Sequence, residues 1–427
     1  METRRRELPQ PVSAVDEQRL ASEVIRLIVA QWSTRAAADP ESPGVDRATE
    51  TTVRQLVFDE LYRAGALQPH LDNMDVEEIV IDGPDNVTLH YFDKPPRRVA
   101  PLADSNEALR LMLNRLLQRS NAGDRGLTDA RPNGHGELGD HRIAATLMTR
   151  RPTAVIRRHR LRGHTLDDLV RWHTIDPLLA QFLRACVQAR QTLLIAGDMG
   201  AGKTTLLRAL ALAIPEHERL VTLEDVRELG LDELEGGPHT LAMQSRESGG
   251  ERTSDGRLLG EISIADAFAH TLRLGAQRVI VGEVRSAEVV PMLDAMSGGG
   301  SGSMCTLHAR RAEEVMERLM LLILRSGIPE AAAARMISTS IDFVVYLRRT
   351  AVQGPDGLVQ WRYVSDVLET AGAGENGRHP SMNTIFAPGR DGRAVYQNQA
   401  PMRMTELTKV SPNLMQWLQG GSRWGMS

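Results

Sequence analysis

Cysteine is nearly missing from this sequence: Cys186 and Cys305 are the only two in 427 residues. Two cysteines build no disulfide framework, and neither stands in a metal-ligand spacing such as C-x-x-C, so a reducing, cytoplasmic setting is expected. Long apolar runs are missing too. The most apolar stretches, residues 206–214 and 319–324, are short and bounded by charge, whereas a bilayer span takes about 20 apolar residues. Membrane contact is therefore expected only through partners or the surface. Residues 1–11 hold Arg4, Arg5 and Arg6 with no apolar segment following, so a solvated tail is expected there rather than a secretory signal. Nor is one sign of charge in excess: Lys+Arg total 51 and Asp+Glu 55, a net charge of −4. That balance gives no global electrostatic case for nucleic acid, and no direct nucleic-acid partner is expected.

What is present is enough chain for more than one core, so two or three units are expected. Helical spacing over residues 15–30 and 53–67, either side of the Pro/Gly/Ser/Asp-rich stretch 38–46, predicts two helices joined by a loop. Residues 76–82 and 87–91 flank the turn Gly83-Pro84-Asp85-Asn86 and read as a hairpin. A helix over 107–119, a loop over 121–140 and strands near 142–147 and 153–158 complete a small α/β domain. One helix over 166–189 then leads into buried strands alternating with helices, with strands at 192–196, 220–223, 279–281 and 304–307. A further hairpin joins 342–347 to 359–367 through a turn at 354–357. Beyond Thr370 glycine and polar residues dominate. The expected division is a helical or disordered extension (1–52), an N-terminal α/β domain (53–160), a nucleotide-binding α/β domain (161–370) and a weakly structured appendage (371–427).

The strongest chemical signal is Gly197-Asp198-Met199-Gly200-Ala201-Gly202-Lys203-Thr204, which satisfies G-x-x-x-x-G-K-[ST] between an apolar strand and a helix beginning near Thr204. Its glycines let backbone N–H groups curl around a phosphate, Lys203 neutralises β/γ oxygens, and the Thr204 hydroxyl ligates Mg²⁺. With Thr205 these residues form the expected ATP site. A glycine-rich turn without a ligand is the competing reading, and the strand-to-helix context counts against it.

Thr222-Leu223-Glu224-Asp225, with Glu228 beyond, brings carboxylates to the same edge of the sheet, where Glu224 and Asp225 can hold Mg²⁺ or water. A capping box at a helix start is the other reading of Asp225. The segment 278–285 reads as a buried strand that ends in a carboxylate, Glu283, the candidate for polarising the attacking water; a salt-bridged Glu-x-Arg at a strand end is the alternative. The glycine run 297–303 feeds Thr306-Leu307-His308-Ala309, where His308 is placed to sense the γ-phosphate, although a lone histidine is more often structural. Cations for the transferring phosphoryl group are sought among Arg131, Arg142, Arg157 and Arg158.

In this order the four segments resemble the Walker A, Asp-box, Walker B and His-box motifs of the type II/IV secretion-system ATPase superfamily. Val281-Gly282-Glu283-Val284-Arg285 is similar to that family's unusual Walker B, which ends on Gly-Glu. Upstream, Val76-Glu77-Glu78-Ile79-Val80-Ile81-Asp82-Gly83-Pro84 and Ile156-Arg157-Arg158 resemble the tight-adherence (Flp) pilus branch. The resemblance implies a RecA-like P-loop domain behind a small α/β domain. It also implies ATP and Mg²⁺ as cofactors, a homo-hexamer, an inner-membrane platform protein as partner, and work in pilin assembly or export. It makes Arg142 and Arg157 the positions for neighbour-sensing arginines, with Arg131 weaker. Two departures stand out: Gly275-Ala276-Gln277 where the branch has Arg-Pro-Asp, and Gly298-Gly299-Gly300 where it has Thr-Gly-His. They bear on coupling and rate, since Lys203, Thr204, Glu283 and His308 remain. A nucleotide-dependent scaffold and a small-molecule kinase are the competing functions.

Overall fold

The computed structural model describes residues 13–38, 45–91, 94–120, 126–158, 163–234, 236–246, 260, 262–286, 288–298, 301–354, 357–374, 377–422 and 424. The chain divides into two compact units, Met1–Arg160 and Leu161–Ser427. Arg4 to Arg6 and most of the loop expected at 38–46 lie outside the described residues, as do Gly299 and Gly300.

In the first unit the helices Ala14–Ala38 and Arg47–Tyr62 precede a six-stranded antiparallel sheet. The second helix starts where the Asp46 side chain accepts from the Thr49 N–H at 2.7 Å. The strands are β1 (Val76–Asp82), β2 (Val87–Tyr91), β3 (Arg97–Arg98), β4 (Asn133–Leu138), β5 (His141–Thr146) and β6 (Thr153–Arg158), in the order β3-β2-β1-β6-β5-β4. The helix Asn106–Arg119, capped by Ser105, buries Leu109, Leu113, Leu116 and Leu117, which lie on one face at helical spacing. They share one core with Ile79, Ile81, Val87, Leu89, Ile143 and Ile156. The loop expected over 121–140 is corrected, because β4 runs through it. Its inward positions are Gly134 and Gly136, so the alternation of a half-buried strand carries no apolar side chain to reveal it.

The second unit is built on a nine-stranded mixed sheet. Its strands are β7 (Leu193–Gly197), β8 (Arg219–Glu224), β9 (His239–Gln244), β10 (Arg278–Val284), β11 (Met304–His308), β12 (Phe343–Gly354), β13 (Gly357–Ala373), β14 (Pro380–Pro388) and β15 (Ala394–Tyr396). The order is β15-β14-β13-β12-β7-β11-β10-β8-β9, parallel from β12 to β9 and antiparallel from β12 outward to β15. The edge strand β9 was not expected. Its apolar stretch is only Leu241-Ala242-Met243, half-buried and flanked by polar residues, shorter than the buried runs of a central parallel strand.

The single helix expected over 166–189 is two helices, Leu166–Arg171 and Pro177–Gln188. Asp176 accepts from the Leu179 N–H at 2.7 Å and Pro177 takes the first helical position, so the second helix has its own start. The segment past Thr370, read as weakly structured, carries the end of β13, then β14, β15 and the helices Met404–Val410 and Leu414–Gln419. Its apolar residues are sparse, but Phe386, Leu407, Leu414 and Leu418 are all buried. Phe182 meets Phe343 and Phe386 edge-on with centroids 5.5 and 5.3 Å away, joining β14 to the central core. The buried Glu369 accepts from the Met402 and Arg403 N–H groups at 2.8 and 3.0 Å, and Arg403 Nε reaches Asp342 at 2.8 Å. Contacts distant in sequence order this segment, and local composition does not report them.

Candidate nucleotide site

The site starts from β7, whose five residues are all buried. Gly197 ends the strand so close to β12 that a β-carbon there would lie 2.6 Å from the Leu347 carbonyl oxygen. The chain then turns through Gly200 and Gly202 into the helix Lys203–Ala211. Gly202 is the N-cap at φ +94°, a left-handed conformation that favours glycine, and no side chain caps the helix. The first-turn N–H groups and the positive end of the helix dipole therefore face out, an arrangement suited to an anion. The Lys203 ammonium donates to the Gly197 and Asp198 carbonyl oxygens at 3.1 and 3.0 Å. Burial pulls its pKa below the ordinary lysine value, opposed by Glu283, Asp198 and Glu228. Met199 projects outward, 73% exposed, while Ala201 is buried and Thr204 and Thr205 are half-buried.

Parallel pairing of β11 with β7 sets His308 opposite Gly197. Its Nδ1 lies 3.1 Å from the Gly197 carbonyl oxygen, and its Nε2 lies 3.6 Å from Asp198 Oδ1. On the next strand, β10, Glu283 is half-buried and holds Arg285: Oε2 accepts from Nε and a terminal nitrogen at 2.9 and 2.5 Å. Both contacts fall on Oε2. The expected Glu-x-Arg pair is therefore present, and Oε1 has no partner among the described residues. The Thr306 hydroxyl donates to the Gly282 carbonyl at 2.5 Å and fixes β10 against β11 just before these two side chains.

At the end of β8, Glu224 turns into the fold. Its Oε1 accepts from the Glu228 and Leu229 N–H groups, both at 2.9 Å, and Oε2 has no hydrogen-bond partner among the described residues. Burial pushes its pKa up to about 7 against those two hydrogen bonds. A β-carbon on Gly282 would sit 3.1 Å from Glu224 Cγ, so the glycine of the Gly-Glu pair makes room for this carboxyl. Asp225 accepts from the Ser245 hydroxyl at 3.1 Å, and no helix begins behind it, so the capping-box reading fails.

The second unit thus brings together the loop, Lys203, Glu224, Asp225, Glu283 and His308. The expected arginines lie in the first unit. Arg142 and Arg157 are cross-strand partners on β5 and β6, and Arg157 Nε is 3.7 Å from Glu78. Arg131 pairs through its backbone with Thr128. Arg158 is corrected: it is buried, donating to Asp140 and to the Leu71 carbonyl, which removes it from the exposed cations. Sequence reasoning also passed over two arginines. On the β12–β13 hairpin, Arg349 stands opposite Arg362, and Arg362 Nε donates to the Gly200 carbonyl at 2.9 Å. The expected hairpin held the signal, since its register pairs these positions across the strands.

A family model described as type II/IV secretion system protein matches residues 135–405, which contain every segment of this site. The chain belongs to the type II/IV secretion system protein family. A putative conjugal transfer protein of Mycobacterium tuberculosis is 30% identical over 300 residues, covering 68% of this chain and 81% of that protein. The type IV secretion system protein PtlH of Bordetella pertussis is 36% identical over 191 residues, 42% of this chain and 54% of its own length. Among solved structures, the Legionella pneumophila ATPase DotB superposes with a TM-score of 0.50 at 19% identity, over 75% of this chain and 82% of that one, a likeness of fold. This type II/IV secretion system protein is accordingly an ATPase with a RecA-like domain, and the stretch from Gly197 to Thr204, which satisfies G-x-x-x-x-G-K-[ST], lies within the matched residues. Among the described residues no helix is long and apolar enough to cross a membrane.

Proposed function

We propose that this chain is a cytoplasmic motor subunit that hydrolyses ATP at the Gly197–Thr205 loop and passes the resulting movement to a membrane-bound secretion or pilus-assembly partner. The observation that carries the reading is the convergence of Lys203, Glu283 and His308 at the carboxyl ends of three adjacent parallel strands. Uncapped N–H groups at the helix start bind the phosphates. Lys203 exchanges the Gly197 and Asp198 carbonyls for phosphate oxygens, a trade favoured by charge-assisted bonding. Glu283 uses Oε1 to orient the attacking water while Arg285 fixes its other oxygen. His308, held by Gly197, lies where a γ-phosphate is sensed.

Mg²⁺ fits this site without a preformed cage. Among the described residues no cluster of three or more His, Cys, Asp or Glu converges, and Mg²⁺ ordinarily keeps waters and takes few protein ligands. The Thr204 hydroxyl, which has no hydrogen-bond partner among the described residues, is the direct ligand, with Asp225 near its water shell, while Glu224, buried and held by the Glu228 and Leu229 N–H groups, stays out of it. When bound, the ion neutralises charge on the β/γ oxygens.

Arg142 and Arg157 belong to the neighbouring subunit's site in a homo-hexamer, and the platform protein at the inner face of the membrane receives the motion. The Flp-pilus resemblance favours pilin assembly, whereas the mycobacterial relative's name points to conjugal transfer. Phosphate release from Mg²⁺ and ATP tests the motor. Purified protein should turn over, and Lys203→Ala and Glu283→Gln should abolish release; ATP binding with no release in the wild type would leave only a scaffold.

A further inference from the structure

The hairpin arginines carry a charge problem that the chain itself does not solve. Arg349 and Arg362 stand directly opposite each other on β12 and β13, so two guanidinium side chains leave the same face of adjacent strands. Directly opposed like charges destabilise a strand pair. Neither has a carboxylate partner among the described residues. Both are nonetheless gathered at the phosphate loop: Arg362 Nε donates to the Gly200 carbonyl at 2.9 Å, and Arg349 Nη1 lies 2.8 Å from where a β-carbon on Gly200 would be.

Their direction follows from the strand register. Phe343, Val345 and Leu347 on β12 pack into the core that contains Leu206, Leu207 and Leu210 of the phosphate-loop helix, and Arg349 continues that face. On β13 the pairing shifts at Ser365: Tyr346 faces Asp366 but Leu347 faces Val364. This bulge turns Val364 and Arg362 to the same side as Leu347 and Arg349. Were the same sequence paired in unbroken alternation, Ser365 would face Leu347 and Arg362 would point to the other face.

We propose that Arg349 and Arg362 form a cation pair that binds the α/β-phosphates of the nucleotide from the same subunit. The proposal rests on the loop being the ATP site. A polyanion there removes the repulsion that the free chain carries, and each guanidinium supplies charge-assisted hydrogen bonds to phosphate oxygens. Because α- and β-phosphates are common to ADP and ATP, the pair contributes to affinity for both.

Calorimetric titration of the full chain with ADP and with a non-hydrolysable ATP analogue tests this. Arg349→Ala and Arg362→Ala should each weaken both ligands about tenfold, and the double variant more than either alone, without the two effects simply multiplying, because the pair is coupled. The salt dependence of binding should flatten in the double variant, a change that a merely structural role does not produce. Arg→Lys at both positions should restore part of the affinity through charge. If the double variant binds ADP and the analogue as tightly as wild type while Lys203→Ala does not, the arginine proposal fails and the loop assignment stands. If Lys203→Ala binds as well as wild type, the loop assignment fails, and this proposal with it.

Discussion

Glu218→Ala should be among the most damaging single substitutions in the second unit. Arg278, at the start of β10, has a fully buried side chain, and Glu218 grips it with two hydrogen bonds, Nε to Oε2 at 2.8 Å and Nη2 to Oε1 at 2.7 Å. Arg190 adds a third contact to Oε2 at 2.5 Å. The same guanidinium donates to the Val187 and Gly302 carbonyls at 2.8 and 3.2 Å, so it links a helix end, β10 and the residues entering β11. Alanine at 218 removes the anion and leaves Arg278 ionised without water or a counter-charge. Breaking a buried pair in this way costs about 3–5 kcal/mol, several times the worth of an exposed pair. For a unit of this size that lowers the melting temperature by roughly 10 °C. Urea and thermal unfolding followed by circular dichroism measure it, with Glu60→Ala as control, because Glu60 and Arg115 form an exposed pair. A loss under about 1 kcal/mol for Glu218→Ala would refute the reasoning, since Arg278 would then be reached by water or paired elsewhere.

Glu224→Gln tests the buried carboxyl of β8. Its raised folded pKa means the bound proton stabilises the fold below the ordinary carboxyl range, and that contribution is lost as pH rises through about 7. Glutamine keeps the acceptor without the charge, so the variant should match wild type near pH 4, below the ordinary carboxyl range, and exceed it by up to about 3 kcal/mol at pH 8, read from urea midpoints. Gly197→Ala places a methyl against the Leu347 carbonyl, so β7 and β12 must part. It should cost about 1–3 kcal/mol and abolish ADP binding, and unchanged affinity would show that the strand–loop junction tolerates a side chain. Thr204→Ala should lower Mg²⁺-dependent turnover at least about tenfold and leave metal-free ADP binding near wild type; equal loss of both would remove Thr204 as the metal ligand.

The site's inventory was legible in the sequence because its parts are local. A phosphate loop needs glycine where φ is positive and a lysine one residue beyond, and these stand together as Gly202-Lys203. Buried parallel strands are continuous apolar runs, so β7, β8, β10 and β11 announced themselves, each with its chemical residue at the carboxyl end. Where local composition and tertiary role part, the sequence was silent. It did not disclose β4, whose inward residues are glycines, or the docked segment after Thr370, which Phe386 and Glu369 hold across the sheet. It did not disclose that Arg158 is buried or that Glu224 faces inward, because an isolated charge carries no mark of its burial. Nor did it disclose the Arg349–Arg362 pair at Gly200. The sequence by itself determined which chemical groups the loop and the neighbouring strand ends carry. Only the tertiary structure decided which other charges reach it, because register, a single bulged residue and burial act between segments more than a hundred residues apart.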